Sequence, residues 1–253
     1  MNWRLIEQES YNAPMNMAID QAIYESVASN RENPTIRFYK WGSNSVSIGA
    51  YQNWKDINLD ACKKHKIGIV RRITGGRAVF HDKDDFTYSF IAPIRIFNYS
   101  IKNAYAHICS CIINALSELG IKAGLENKND IIVDGKKISG NASRAMDKGI
   151  YLQHGTLIYN INFDLMPEVL NISHDLINEK VTSILEFKKI SQKKVYEILK
   201  DSFASGKDFK TEKLSEFELM RASDLAKNKY SDLMLPSGSL MKNKGACYIE
   251  RGS

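Results

Sequence analysis

Two blocks of this chain combine residue types and spacings suited to chemistry on an anion. The first runs Arg71-Arg72-Ile73-Thr74-Gly75-Gly76-Arg77-Ala78-Val79-Phe80-His81-Asp82. Glycine lets a main chain bend sharply and approach a ligand closely, so Gly75 and Gly76 can bring N–H groups and guanidinium charge against a phosphate or carboxylate. An ordinary basic hairpin turn satisfies the same pattern. His81 and Asp82 offer an imidazole next to a carboxylate, although neighbours on a strand point to opposite faces. The second block runs Asn129-Asp130-Ile131-Ile132-Val133-Asp134-Gly135-Lys136-Lys137-Ile138-Ser139-Gly140-Asn141-Ala142, followed by Leu152-Gln153-His154-Gly155-Thr156-Leu157. Here Lys137 ends a strand and small residues follow at once, leaving room for a ligand. An ammonium group at a sheet end can neutralise a phosphate or meet charge developing on an acyl carbonyl. A charged hairpin and a polar loop would give the same letters.

Both blocks need a frame to hold them. Alternation of apolar and polar residues predicts strands over 3–6, 35–41 and 45–49, and over 67–70 and 77–80 on either side of the glycines. Further strands are expected over 87–92, 130–133, 136–138 and 152–159, with Asp134-Gly135 as a type I′ turn. Apolar residues at spacings of three and four predict helices from Pro14, over 59–65, and over 101–119, where Gly120 ends the pattern. Shorter or more polar helices are expected from 165, over 191–203 and over 212–230. Frequent hairpins favour antiparallel pairing, so the expected class is α+β, a mixed, mainly antiparallel sheet with flanking helices.

Composition narrows the function. The 253 residues are 43% hydrophobic, enough for a real core and for one large domain. No apolar run is long enough for a membrane span, and no secretory leader pattern opens the chain. The four cysteines, Cys62, Cys109, Cys111 and Cys247, lack metal-ligand spacing; Cys109 and Cys111 read as core thiols, and the cytoplasm is the expected location. A net charge of +6 suits an anionic nucleotide or an acidic protein partner. Nucleic acid is not the expected partner, because basic and aromatic residues are not interleaved and no binding motif is present.

Read together, the blocks resemble the lipoate–protein ligase and octanoyl transferase family, whose catalytic fold is shared with biotin–protein ligases. The block from Arg71 to Asp82, the block from Asn129 to Ala142 and the His154-Gly155 block occur in that family's order and spacing. Met15-Asn16-Met17-Ala18-Ile19-Asp20 and Arg37-Phe38-Tyr39-Lys40-Trp41 resemble its opening helix and first wall strand, so the likeness covers about residues 1–200. The resemblance implies a biotin/lipoate ligase catalytic-domain fold with a pocket for a medium-chain acyl group. By motif position, Arg72, Gly75, Gly76, Arg77 and His81 would line the acyl and nucleotide site. Asn129 and Asp130 would hold the adenylate, with Asp130 as the magnesium ligand. Lys137 would be the catalytic lysine, Ser139 and Gly140 would bind substrate or nucleotide beside it, and His154 and Gly155 would close the floor of that binding site. ATP and Mg²⁺ would be cosubstrates and lipoate the substrate, with no permanently bound cofactor. The implied acceptors are lipoyl carrier domains of a 2-oxoacid dehydrogenase E2 or the glycine-cleavage H protein.

Two observations divide the branches of this resemblance. Arg77 stands where the ligases mostly carry a third glycine, and a Thr-Gly-Gly-Arg loop is commoner in the cysteine-dependent octanoyl transferases. Those transferases need a nucleophilic cysteine shortly before the lysine block, and this chain has Glu126-Asn127-Lys128 there. The expected activity is therefore ATP-dependent ligation, with octanoyl or lipoyl transfer from acyl carrier protein or another lipoyl protein as the alternative. A non-catalytic lipoyl-binding protein ranks lower. Residues 1–253 are expected to form a single catalytic domain without the C-terminal accessory domain of two-domain ligases. A separate small accessory subunit is one way to complete it.

Overall fold

Alternation along residues 35–41 governs the architecture: Ile36 and Phe38 enter one core cluster, while Tyr39 and Trp41 enter another on the opposite face. The computed structural model describes residues 1–145 and 147–231. The tail from 242 onward and Cys247 lie outside the described residues. In chain order the strands are β1 (Asn2–Tyr11), β2 (Thr35–Trp41), β3 (Ser45–Ile48), β4 (Gly68–Arg71), β5 (Val79–His81), β6 (Phe86–Pro93), β7 (Gly124–Glu126), β8 (Asp130–Val133), β9 (Lys136–Ala145), β10 (Ile150–Leu157) and β11 (Asp208–Thr211). The helices are α1 (Ala13–Ala28), α2 (Leu59–Lys64), α3 (Ile101–Glu118), α4 (Leu165–Leu170), α5 (His174–Lys180), α6 (Ile184–Phe187), α7 (Gln192–Ala204) and α8 (Glu216–Leu225).

An eight-stranded sheet runs β11-β1-β2-β6-β10-β9-β8-β7, and a three-stranded sheet runs β4-β3-β5. Pairing is mainly antiparallel, as expected, with parallel pairs at β11–β1, β1–β2 and β3–β4. Helices α3 and α7 cover one face of the large sheet; Ile108, Ile112 and Leu116 meet Phe38, Tyr88 and Phe90 there. Burying each such side chain contributes about 1.5–3 kcal/mol. Helices α1 and α8 cover the other face. Asn12 caps α1 through Met15 N, and Ser215 with Glu218 forms a capping box on α8. A buried ion pair from Arg4 on β1 to Glu218 fastens α8 to the sheet.

Three expectations change. The glycine loop is not a hairpin turn, because β3 lies between β4 and β5 and pairs with both, parallel to β4. Residues 139–142 are not a loop; β9 continues to Ala145 because β8 and β10 pair with it from either side. The last helix begins at Glu216 rather than 212, since residues 208–211 extend the large sheet as β11.

Candidate active site

The small sheet folds over the α1-covered face of the large one, and a cleft lies between them. Tyr39 and Trp41 of β2, Met17 of α1 and Val79 of β5 form its apolar wall. Its polar wall comes from the sheet rows beside it. Arg37, Ser89 and His154 stand side by side across β2, β6 and β10, and all three contact Asp20 of α1. The distances are 2.7 Å from Arg37 Nη1 to Oδ1, and 2.6 Å from Ser89 Oγ and 3.1 Å from His154 Nδ1 to Oδ2. Burial alone would raise the Asp20 carboxyl, but the His154 hydrogen bond and the Arg37 charge outweigh it and hold it below the usual carboxylate value. His154 Nε2 then reaches Thr74 Oγ1 at 2.6 Å, tying the floor of the cleft to the glycine loop.

One row further along, Thr156 Oγ1 lies 3.2 Å from His81 Nδ1, and Ser47 Oγ lies 2.7 Å from His81 Nε2. The His81 ring stacks on Trp41 at 4.0 Å. Burial, then the charges of Arg72 and His154, push this imidazole well below its ordinary value, so it is uncharged at neutral pH. Arg72 donates to Ser47 Oγ at 3.2 Å, leaving the serine proton for His81 Nε2. Arg72 also donates to the carbonyls of Gly75 and Arg77, at 2.7 and 2.8 Å. Its guanidinium therefore braces the loop from within, where the sequence suggested a direct anion contact. Burial lowers it to about 10, which still leaves it charged at neutral pH. Gly76 has φ of +98°, and a Cβ on Gly49 would fall 1.9 Å from its carbonyl oxygen, so close approach of two main chains shapes this turn.

Lys137 reaches the cleft through an irregularity in β9. Ile131 pairs with Ser139 but Ile132 pairs with Lys137, so β9 carries Ile138 as an extra residue. In an unbroken ladder Lys137 would share a face with Ser139. With the bulge, Ile138 packs into the α3/α7 core and Lys137 emerges on the cleft side, beside Gly140. A Cβ on Gly140 would lie 2.7 Å from Lys137 Cε. The ammonium, on a side chain 40% exposed, sits 2.7 Å from Asp130 Oδ1. That oxygen is buried and makes no hydrogen bond of good geometry, so the contact is a Coulomb pair.

Of the expected site residues, Arg72, Gly76, Arg77, His81, Asn129, Lys137, Gly140, His154 and Gly155 line this cleft. Asp130 meets it through Lys137, and Gly75 lends only its carbonyl to Arg72. Ser139 does not line the cleft: it is fully buried. Sequence reasoning missed Asp20, Ser47, Thr74, Asn141 and Thr156 as site residues. For Asp20 a signal existed, an acidic residue within the apolar stretch Ala18-Ile19-Asp20, matched by Arg37 in an otherwise apolar-alternating strand. Cys62, Cys109 and Cys111 are buried and free, and none lines the cleft. Burial pushes the Cys62 thiol up to about 11 and the Cys109 thiol up to about 12, so neither is a thiolate at neutral pH.

A family profile described as Lipoyl protein ligase A/B catalytic domain matches residues 12–204. Among curated proteins, the chain is 31% identical to Octanoyltransferase LipM of Halalkalibacterium halodurans, over 90% of this chain and 96% of that protein. LipM of Brevibacillus brevis is also 31% identical, with the same coverage. Among solved structures, lipoate-protein ligase A bound with ATP superposes with a TM-score of 0.82 at 31% identity, over 91% of this chain and 96% of that one. A bipartite lipoate protein ligase from Thermoplasma acidophilum, described with its E2 lipoyl domain, gives 0.79 at 29%, over 91% and 94%. The curated relatives thus carry the transferase name and these structures the ligase name. Among the described residues, no helix is long and apolar enough to cross a membrane.

Proposed function

This chain belongs to the lipoyl protein ligase A/B catalytic-domain family, and from that premise we propose that it joins lipoate or octanoate to a lysine of a lipoyl carrier domain by way of an acyl-adenylate made from ATP. The observation that carries this reading is the Lys137–Asp130 pair at an apolar-walled cleft that no described cysteine lines. The acyl chain lies against Met17, Tyr39, Trp41 and Val79. Its carboxylate oxygen attacks the α-phosphorus of ATP and pyrophosphate leaves. The carrier amine then attacks the acyl carbonyl and AMP leaves. Both steps gather negative charge beside Lys137, whose ammonium favours each transition state over its ground state. No enzyme nucleophile takes part.

Asp130 fits as a magnesium ligand. Its Oδ1 is buried and makes no hydrogen bond, but Lys137 Nζ lies 2.7 Å from it. Mg²⁺, commonly held by one or two carboxylates together with substrate phosphates, would bind there once that ammonium turned to the substrate. Bound there, the ion would supply charge neutralisation for the triphosphate. Among the described residues no cluster of three or more metal-ligating side chains exists that would build an all-protein cage.

A second reading, octanoyl transfer from acyl carrier protein, is favoured by the names of the curated relatives and by Arg77. It needs an acyl acceptor on the enzyme or direct transfer between carriers. The deciding experiment is mass spectrometry of an apo lipoyl domain incubated with this protein. One tube holds lipoate, ATP and Mg²⁺, and the other octanoyl-acyl carrier protein without ATP. The ligase reading expects product in the first tube. Product in the second alone overturns it. Full turnover by the chain alone would exclude a need for a separate accessory subunit.

A further inference from the structure

Arg71, the first of the two arginines that open the glycine block, takes no part in the cleft. Its Nη1 collects the carbonyls of Gly49, Ala50 and Gln52 at 2.9, 3.4 and 2.8 Å. Its guanidinium lies over the Trp54 ring, 4.8 Å from the centroid. Ala50 N donates to Thr74 O, Gly49 N donates to Gln52 Oε1, and Gly49 packs on Gly76. Residues 49–54 are therefore a surface loop held from several directions against the glycine loop. At its crest, Tyr51 is 89% exposed, more than any other large hydrophobic side chain among the described residues. A loop so braced fixes the main chain that carries Tyr51, which lowers the backbone ordering cost an anchor would otherwise face on binding. Two guanidinium groups flank the same glycine loop: exposed Arg77 within it, and exposed Arg144, which donates to Ile73 O at 3.1 Å. An exposed tyrosine and two arginines on adjoining loops have the composition of an interface hot spot.

We propose that Tyr51, with Arg77 and Arg144, is the surface on which the acylated protein docks, and that the docking partner is the lipoyl carrier domain through an acidic face beside its acceptor lysine. The proposal rests on the carrier-lysine reading given above. The activated acyl group is held inside the cleft and the amine must reach it there. The body of the carrier is too large to enter, so it comes to rest on the rim within one lysine side chain of Lys137. The rim at the glycine loop is continuous with the cleft through Gly76 and Arg77, which line both. Its positive charge favours an acidic partner and a fast, salt-sensitive encounter.

The test uses the full chain and an apo E2 lipoyl domain, with Tyr51→Ala and Tyr51→Trp as variants. Carrier binding is read directly by titration, and acyl-AMP formation from lipoate and ATP is read separately without carrier. Tyr51→Ala is expected to weaken carrier binding by roughly tenfold or more, as truncating an anchor does. It should leave acyl-AMP formation unchanged, while Tyr51→Trp should retain most of the affinity. Raising salt should weaken carrier binding while acyl-AMP formation holds. Unchanged carrier affinity in Tyr51→Ala overturns the docking surface. So does an equal loss in acyl-AMP formation, which would make the loop part of the cleft. If the wild type forms no acyl-AMP, the ligase reading fails, and the binding titration still judges Tyr51.

Discussion

The inner end of the cleft and its mouth are built on opposite principles. Inside, Asp20, Arg37, His154, Ser47, His81 and Arg72 are buried, and each is hydrogen-bonded to others or to the loop. That company keeps the Asp20 carboxyl charged and the His81 imidazole uncharged at neutral pH. At the mouth, Lys137 is 40% exposed, and its ammonium faces Asp130 Oδ1, a buried oxygen that makes no hydrogen bond. The contrast separates two tasks. The inner residues define a shape and a fixed field, whereas the outer pair presents an exposed ammonium which, in the function proposed above, meets the charge of a substrate.

Four experiments would break or sharpen that division. Arg37→Met should be the most damaging to the fold. It leaves the Asp20 carboxylate buried without its cation, a loss of about 3–5 kcal/mol, measured by urea unfolding. A loss below about 1 kcal/mol would mean that the inner end is not an interdependent network. Lys137→Ala should act the other way, lowering acyl transfer on the order of 10²–10³-fold, the range for removing one transition-state donor. Its unfolding midpoint should stay near wild type, and a near-normal rate in Lys137→Ala would remove Lys137 from the chemistry.

Two glycines give an internal control of smaller size. In Gly155→Ala the new methyl meets Asn141 Oδ1 at 2.0 Å, an oxygen held by Tyr88 OH at 2.7 Å. Overpacking there should cost about 1–3 kcal/mol. In Gly140→Ala the methyl meets only the far end of Lys137, so stability should hold within about 0.5 kcal/mol while the rate falls. Equal stability effects at the two positions would erase the distinction between the regions.

The smallest effect is a pH slope. His81 is held uncharged in the folded state, chiefly by burial, below its ordinary value of 6.5. The unfolded chain gains a proton there before the folded one does, so this contribution is fully present above pH 6.5 and is lost as pH falls below it. The slope is limited to about 1.4 kcal/mol per pH unit. His81→Gln should flatten it in denaturation curves taken between pH 7 and the onset of acid unfolding, and an unchanged slope would show that His81 does not titrate in this way.

Local signals carried much of the frame and part of the site. The alternation of residues 35–41 matches β2, and the spacing from Ile101 with Gly120 beyond it matches α3 closely. The Asp134-Gly135 turn has positive φ at both residues, as a type I′ turn requires. Long-range pairing was not legible. Nothing near Gly75 and Gly76 announces that β3, some thirty residues earlier, will lie between the strands on either side of them. The polar letters of residues 139–142 look like a loop because strand propensity is weak there; only the neighbours on both sides make them a strand. The buried Asp20–Arg37 pair was hidden for a related reason. A charged residue in an apolar segment declares its partner only once the helix is laid on the sheet.

The extra residue in β9 also makes the hairpin a ruler. Lys136 and Lys137 are adjacent and chemically identical, and only strand parity decides which of them faces the cleft. If the ladder closed up without the bulge, Val133 would oppose Lys137. The ammonium would then turn toward the α3/α7 core, and Ile138 would enter the cleft in its place. Ile138 is fully buried in that core, and the carbonyl of Lys137, freed from the ladder, accepts Thr182 N at 2.9 Å. Two separate fastenings thus hold the count. Residues 134–138 have no length to spare: adding or removing one would change which lysine faces the cleft while leaving both lysines in the sequence.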